Sequence, residues 1–443
     1  AVGLLAGLFA AIHPTLVAFS VSTYVEPLYT FLILAATLLC LRFVRNRGRV
    51  ELAAAGACWG LAYLTRPEAL AGGAVAAASV ALVAYFPRRR LSASVRSGAI
   101  LSGAMLALVL PNVIWLSSLA GDFRWEGKSG ANSQLNERIQ AGMSYPEAAR
   151  GLEGEDGRVG PFLNMRDQRE FLSYDGSGGL NFISSLLRAP LSRVQGTVVD
   201  LVRARNLGAP WILLLAGIGL VWGMRWRDRP WEGLVFLSFV GVLGLILLLT
   251  EWRYPRFFLA MTSALVVWSA AGAMVLARGL SGSLRRTRPS PHPHRWAPAL
   301  AALLLVAVSL GTLPSTLATP ELNQAASTLA REFGAAIRRD YDSESGSASR
   351  PSILGFGLAP GFYAGGTMAY LPYSDEVRAL AYVHAAAPDY LILTSSEAGQ
   401  APYVSTWLED GIPDPCAIPI LDSAPAGGAR SRLWRWGCRE APM

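Results

Sequence analysis

Residues 31–49 read FLILAATLLCLRFVRNRGR, from Phe31 to Arg49. An apolar run broken only by Thr37 gives way abruptly to Arg42, Arg45, Arg47 and Arg49. A helix of this kind buries its apolar length in lipid and leaves its basic end among the headgroups. The pairing recurs along the chain. Ala69–Phe86 runs into Arg88–Arg96, Pro210–Met224 into Arg225–Arg229, and Tyr254–Ala277 into Arg278–Arg295. Over 443 residues, 52% of side chains are hydrophobic and 16% charged, with a mean hydropathy of +0.34. Soluble domains carry about a quarter of their residues as charges, so this chain is poor in them. Disorder, collagen-like repeats and a small disulfide scaffold are excluded by the same composition. The expected fold class is a polytopic α-helical membrane protein.

The net charge of +8 does not point to nucleic acid, because the basic residues concentrate in short linkers between apolar runs. Those linkers and their edges hold only Glu51, Asp228 and Glu232 as acids. Short arginine-rich loops mark the cytoplasmic side. Anchoring them there gives one path of about nine spans. Ala1–Ile12, Leu52–Thr65, Ser97–Leu119, Trp231–Thr250 and Trp296–Leu313 run outward. Val21–Phe43, Ala69–Phe86, Pro210–Met224 and Tyr254–Ala277 run inward. Four regions follow: membrane spans over 1–119, an extracytoplasmic loop with short helices over 120–208, further spans over 209–314, and a small extracytoplasmic α/β domain over 320–443. In the last, the pattern predicts helices over Gln324–Tyr341 and Asp375–Ala386. Strands are expected over Ser352–Gly355, Tyr390–Thr394 and Arg432–Trp436. Cys40 and Cys58 read as small core residues. Cys416 and Cys438 lie where a disulfide is permitted, and spacing alone leaves their pairing open.

Depth can be read along each span at 1.5 Å per residue. Measured from the nearest inner arginine, Glu26 lies about 24 Å up, Arg66 about 25 Å, and Pro111-Asn112 about 22 Å. The hydrocarbon core is about 30 Å thick, so three spans place polar or helix-breaking residues just beneath the outer surface. Charges at that depth face a water-filled cavity or one another. Arg66-Pro67-Glu68 forms the turn between two spans, and Arg253 and Arg256 open a later one at the same rim. Recessed arginines suit an anionic headgroup, because guanidinium grips phosphate with two parallel donors. Plainer readings stand beside these. Glu26 pairs structurally with Arg66, Arg253 and Arg256 snorkel, and Lys128, the only lysine, is an exposed loop residue. His13 before Pro14 reads as a helix-end residue. Gly361–Gly366 lacks the spacing of a dinucleotide fingerprint and is not expected to open a helix after a strand. No metal-binding spacing, Walker A motif or Ser-His-Asp signature is present in the sequence.

His13-Pro14, Tyr24-Val-Glu26-Pro-Leu-Tyr29 and Gly60-Leu-Ala-Tyr-Leu-Thr-Arg66-Pro-Glu68 together resemble the GT-C superfamily of polytopic glycosyltransferases. The group meant is that of the protein O-mannosyltransferases and the bacterial lipid A aminoarabinose transferases. Leu110-Pro-Asn112 and Arg253-Tyr254 are similar to that family as well, and the resemblance reaches to about Leu313. It implies transfer of a sugar from a polyprenyl-phosphate donor at the outer face of the cytoplasmic membrane, with inversion and the lipid phosphate as leaving group. By the same resemblance Arg66 holds the lipid phosphate and Glu26 serves in the active site. Glu68, Arg253, Arg256 and Lys128 are further candidates for donor binding. Pro255-Arg256 departs from the family's usual apolar residues after Arg-Tyr. The family's acidic first outer loop would precede Ala1, so the chain is expected to be truncated at its N-terminus, with the catalytic base in the missing part.

The implied partners are a polyprenyl-phosphate-linked sugar, an acceptor that is protein, lipid or glycan, and membrane lipid; nucleic acid is not one. No cofactor is assigned, and a divalent cation is left open. The bias to arginine suggests a GC-rich bacterial source and hence a bacterial cytoplasmic membrane. The competing readings are a transporter or flippase of lipid-linked sugars, an oligosaccharide polymerase or ligase, and a non-catalytic assembly protein.

Overall fold

The computed structural model describes residues 1–20, 25–86, 89–127, 152–153, 159–160, 195–196, 198–199, 202–203, 209–223, 230–249, 258–285, 296–317, 324–345, 350–355, 359–372, 374–399, 401–423 and 430–438. Two compact units emerge, one of residues 1–116 and 183–322, the other of 117–182 and 323–443.

The first unit is helical. Its elements are α1 (Val2–Ile12), α2 (Pro14–Ser20), α3 (Glu26–Asn46), α4 (Arg49–Thr65), α5 (Ala69–Tyr85), α6 (Leu91–Ala120), α7 (Ala209–Ile218, continued by a π turn, Gly219–Gly223), α8 (Pro230–Leu249), α9 (Leu259–Arg285) and α10 (Ala297–Leu317). Four of the described helices are long and apolar enough to cross a membrane: α3, α6, α9 and α10. The pair α1–α2 makes a fifth if its two pieces count as one span, while α5, α7 with its π turn, and the apolar part of α8 are shorter. These helices are those of a membrane protein.

Several expectations are corrected by the structure. The first apolar run does not stop at His13-Pro14: it bends by 63° and continues as α2. Proline forces His13 out of the helical region (φ −68°, ψ 117°) yet suits the first turn of the next helix. His13 is fully buried, edge-on to Phe9 at 5.6 Å, and α2 is tied to α10 by a Thr15–Thr316 hydroxyl pair at 2.8 Å. Secondly, α3 runs to Asn46, α4 begins at Arg49, α6 begins at Leu91 and α9 runs to Arg285, so Arg42, Arg45, Arg49, Arg96 and Arg278 lie inside helices and not in linkers. Arginine is a good helix former whose long stem reaches back to the interface, so nothing stops the helix there. Finally, Gly361 does lie in a helix that follows a strand (below). The stretches 21–24 and 250–257, most of the loop 120–208, and the candidates Lys128, Arg253 and Arg256 lie outside the described residues.

Small residues bring helices close. A Cβ on Gly56 would overlap the Leu101 carbonyl oxygen, and one on Gly60 would stand 2.9 Å from that of Met105. The Gly56-x-x-x-Gly60 stripe therefore seats α4 directly on the α6 backbone. Gly219 and Gly272 do the same for the π turn and α9: a Cβ on either would strike the carbonyl of Trp268 or Leu215. Ser269 adds a bond to the Ile212 carbonyl at 3.0 Å.

The second unit ends in an α/β fold: α11 (Gln324–Ser345), β1 (Ser352–Gly355), α12 (Ala359–Ala364), β2 (Thr367–Tyr370), α13 (Glu376–Ala386), β3 (Tyr390–Thr394), α14 (Tyr403–Glu409), β4 (Ala417–Ser423) and β5 (Ser431–Trp436). The sheet runs β2-β1-β3-β5-β4, with β2, β1 and β3 parallel and the last two strands antiparallel. Alternation along β3 sends Tyr390 and Ile392 to one face, where Phe333, Ile337 and Tyr341 of α11 cover them. Leu391 and Leu393 point to the other face, under Val383 of α13 and Trp407 of α14. Gly361 of α12 packs so closely on β2 that an added Cβ would stand 2.9 Å from that of Met368. Packing, not a dinucleotide turn, accounts for that glycine. Cys416 and Cys438 are joined as a disulfide across the β4–β5 hairpin. A separate antiparallel contact pairs Leu152–Glu153 with Val159–Gly160.

Candidate functional site

α3 is 21 residues long, about 30 Å, and its two ends differ sharply in chemistry. At its C-terminal end Arg45 forms a two-pronged pair with Glu232 at the start of α8, at 2.8 and 3.0 Å. Arg47 donates to the Val83 carbonyl at the end of α5 (3.2 Å), and Phe86 stacks on Trp231 at 5.5 Å. The arginine-rich end of α3, the end of α5 and the start of α8 thus meet at one end of the bundle.

Glu26, Arg66 and Glu68 meet at the other. Pro67 holds Arg66 extended (φ −149°, ψ 119°), which ends α4. The Arg66 amide still closes the last helical turn to Ala62 (2.8 Å), while the Ala69 and Leu70 amides fold back onto Arg66 and Pro67. This tight turn brings Glu68, two residues on, to the guanidinium of Arg66. Nη2 donates to Glu68 Oε1 at 3.0 Å and Nε to Oε2 at 3.4 Å. On the other side Nη1 reaches Glu26 Oε1, in the first turn of α3, at 3.5 Å. The Arg66 carbon lies 5.6 Å from the centroid of the Tyr29 ring, in cation–π range. Side-chain exposure is 16% for Arg66, 8% for Glu26 and 35% for Glu68, so the Glu26 pair is the desolvated one.

A second polar contact extends this end. The α4–α6 glycine seat places Tyr63, one turn before Arg66, against Asn112, whose amide donates to the Tyr63 hydroxyl at 3.3 Å. Asn112 follows Pro111, which cannot donate to the helix and frees a backbone carbonyl one turn earlier. The three depths read from the sequence therefore converge on neighbouring elements. The structure brings together Glu26, Arg66 and Glu68; Lys128, Arg253 and Arg256 fall outside the described residues. Tyr29 and Tyr63 were not singled out beforehand. The quoted stretches contained both, and Gly56-x-x-x-Gly60 was the signal that would have paired Tyr63 with α6. Beyond α6, Arg124 is buried and bonds Asp122 at 2.7 Å, with its amide on the Ser117 hydroxyl. Among the described residues, no three His, Cys, Asp or Glu side chains gather as a metal site.

Chemically, the cluster sets one guanidinium between two carboxylates in a poorly solvated place. It can hold an anion on arginine, and it has carboxylates able to accept a proton.

No protein-family model matches the chain, and no curated protein does. Among solved structures it is similar to the oligosaccharyltransferase of Archaeoglobus fulgidus, crystallised with Zn and sulfate. The identity is 14% and the TM-score 0.37, over 92% of this chain and 54% of that one. The chain therefore spans about half the length of that protein.

Proposed function

We propose that the protein is a membrane glycosyltransferase of the GT-C kind. It moves a sugar from a polyprenyl-phosphate donor to an acceptor at the outer face of the cytoplasmic membrane. The observation that carries this reading is the Arg66 guanidinium, recessed with Glu26 and Glu68 at the end of the bundle opposite the arginine-rich one. Arginine stabilises the negative charge that grows on the leaving lipid phosphate, and seclusion from water protects the activated sugar. The acceptor forms a bond to the sugar's anomeric carbon as the bond from that carbon to the phosphate oxygen breaks, in one inverting step; the lipid phosphate leaves and a carboxylate takes the acceptor's proton.

The gathering of Arg45, Arg47 and the start of α8 supports a single cytoplasmic end, and with it the path of about nine spans. The Cys416–Cys438 disulfide supports an oxidising compartment for the α/β fold, hence an extracytoplasmic domain over 320–443. Glu26 is assigned to the active site, Glu68 to the orientation of Arg66, and Lys128, Arg253 and Arg256 to donor binding. Bacterial origin and a divalent cation remain parts of this proposal.

The test is saturable binding of farnesyl phosphate by the full-length protein in nanodiscs, followed by transfer from a prenyl-phosphate sugar. Arg66→Ala should abolish both. Binding indifferent to Arg66 would overturn the assignment.

A further inference from the structure

Arg66 already carries two carboxylates, and that makes its use as a phosphate holder conditional. Among the described side chains its donors are shared between Glu68, on Nε and Nη2, and Glu26, on Nη1. An arriving phosphate gains those donors by replacing one of the carboxylates. The two are not equally easy to replace. Glu68 is held by two contacts, 3.0 and 3.4 Å, from adjacent nitrogens of the same fork, and the Pro67 turn keeps it there. Glu26 meets the opposite nitrogen, Nη1, at the longer distance of 3.5 Å. It comes from a different helix, so α3 and α4 can adjust without unmaking the turn.

We infer that the Glu26 carboxylate occupies the lipid-phosphate position on Arg66 and is displaced by the phosphate when the donor binds. The exchange is anion for anion: the Nη1 donor passes from Glu26 Oε1 to a phosphate oxygen, no covalent bond changes, and Glu68 keeps the fork aligned. Displacement turns the Glu26 carboxylate away from Arg66 only when a donor is present, which ties donor docking to a carboxylate becoming available beside it. The inference rests on the reading of Arg66 as the phosphate holder.

Its test is the affinity of the full chain in nanodiscs for farnesyl phosphate and for inorganic phosphate, compared among wild type, Glu26→Gln, Glu68→Gln and Arg66→Ala. Removing the competing charge should tighten farnesyl phosphate binding about five-fold or more in Glu26→Gln. Glu68→Gln, which loosens the fork, should not tighten it. A gain confined to farnesyl phosphate assigns the position to a lipid-borne group, and an equal gain for inorganic phosphate assigns it to free phosphate. Unchanged or weaker binding in Glu26→Gln, with binding still lost in Arg66→Ala, overturns the displacement and leaves the phosphate reading intact. Wild-type binding in Arg66→Ala overturns both. Should Glu26→Gln fail to fold, Glu26→Ala, which also removes the competing carboxylate, must show the same tightening.

Discussion

Removing the Arg66 guanidinium should cost more than removing its partner, and the geometry says by how much. At 3.5 Å and an effective dielectric of about 20, the Glu26–Arg66 attraction is about 5 kcal/mol, most of it offsetting the desolvation of both groups. Arg66→Ala takes that compensation away from the Glu26 carboxylate, which is 8% exposed. Loss of one partner from a buried pair costs about 3–5 kcal/mol. Glu68 adds little to this cost, because at 35% exposure its charge is largely served by solvent. Glu26→Gln keeps the shape, removes the charge and leaves Arg66 on Glu68, at a cost of about 1–2 kcal/mol. The double variant carries no charge at either position and should be about 2 kcal/mol more stable than Arg66→Ala alone. Unfolding of each form in mixed micelles by increasing SDS, followed by tryptophan fluorescence, measures the cycle. Single-variant costs that simply add, to within about 0.5 kcal/mol, would refute a buried coupled pair. The same cycle supplies a folded Arg66-less protein for the binding experiments.

Three further outcomes follow from the packing and charges. Gly60→Leu should weaken the α4–α6 seat by about 1–3 kcal/mol or more, whereas Gly103→Ala on α6, with no atom within 4 Å of the new Cβ, should be neutral or slightly stabilising; thermal unfolding in detergent separates them. Replacing Cys416 and Cys438 by Ser opens a loop of 22 residues, which by loop entropy costs about 3 kcal/mol; faster proteolysis between β4 and β5 is the readout. At the same hairpin the guanidinium groups of Arg430 and Arg432 hold the Asp422 carboxyl down at about 2. A lowered folded value means stability present above the unfolded value of about 4 and lost as pH falls toward 2. Because Asp422 is 38% exposed, the wild type should exceed Asp422→Asn by under about 1 kcal/mol at pH 6, and the gap should close by pH 2.

How much of this was legible beforehand divides along physical lines. In the α/β fold the helix over Gln324–Tyr341 and the strands Ser352–Gly355 and Tyr390–Thr394 were legible, since water on one face imposes a period. Residues 330, 333, 337 and 341 point inward at helical spacing. The seven-residue α14 and the strand β4, interrupted by Pro419 and a register shift, carry too short a period to be read that way. Within lipid the logic inverts. Both the packed and the lipid-facing sides of α3 and α4 are apolar, so no period separates Tyr29 and Tyr63, which pack beside Arg66 and Asn112, from Phe31 and Leu64, which are exposed. What lipid does expose is cost. A charge at depth must find a partner, so the positions of Glu26 and Arg66 along their helices were enough to bring them together on paper. Partner helices leave a fainter mark, a glycine wherever two backbones touch, and Gly56 and Gly60 are such a mark. Depth is thus read from the charges and adjacency from the glycines. The Arg66 cluster lies where the two readings cross: Glu26 and Arg66 share a depth, and the glycine seat below them delivers Tyr63 and Asn112 to the same end.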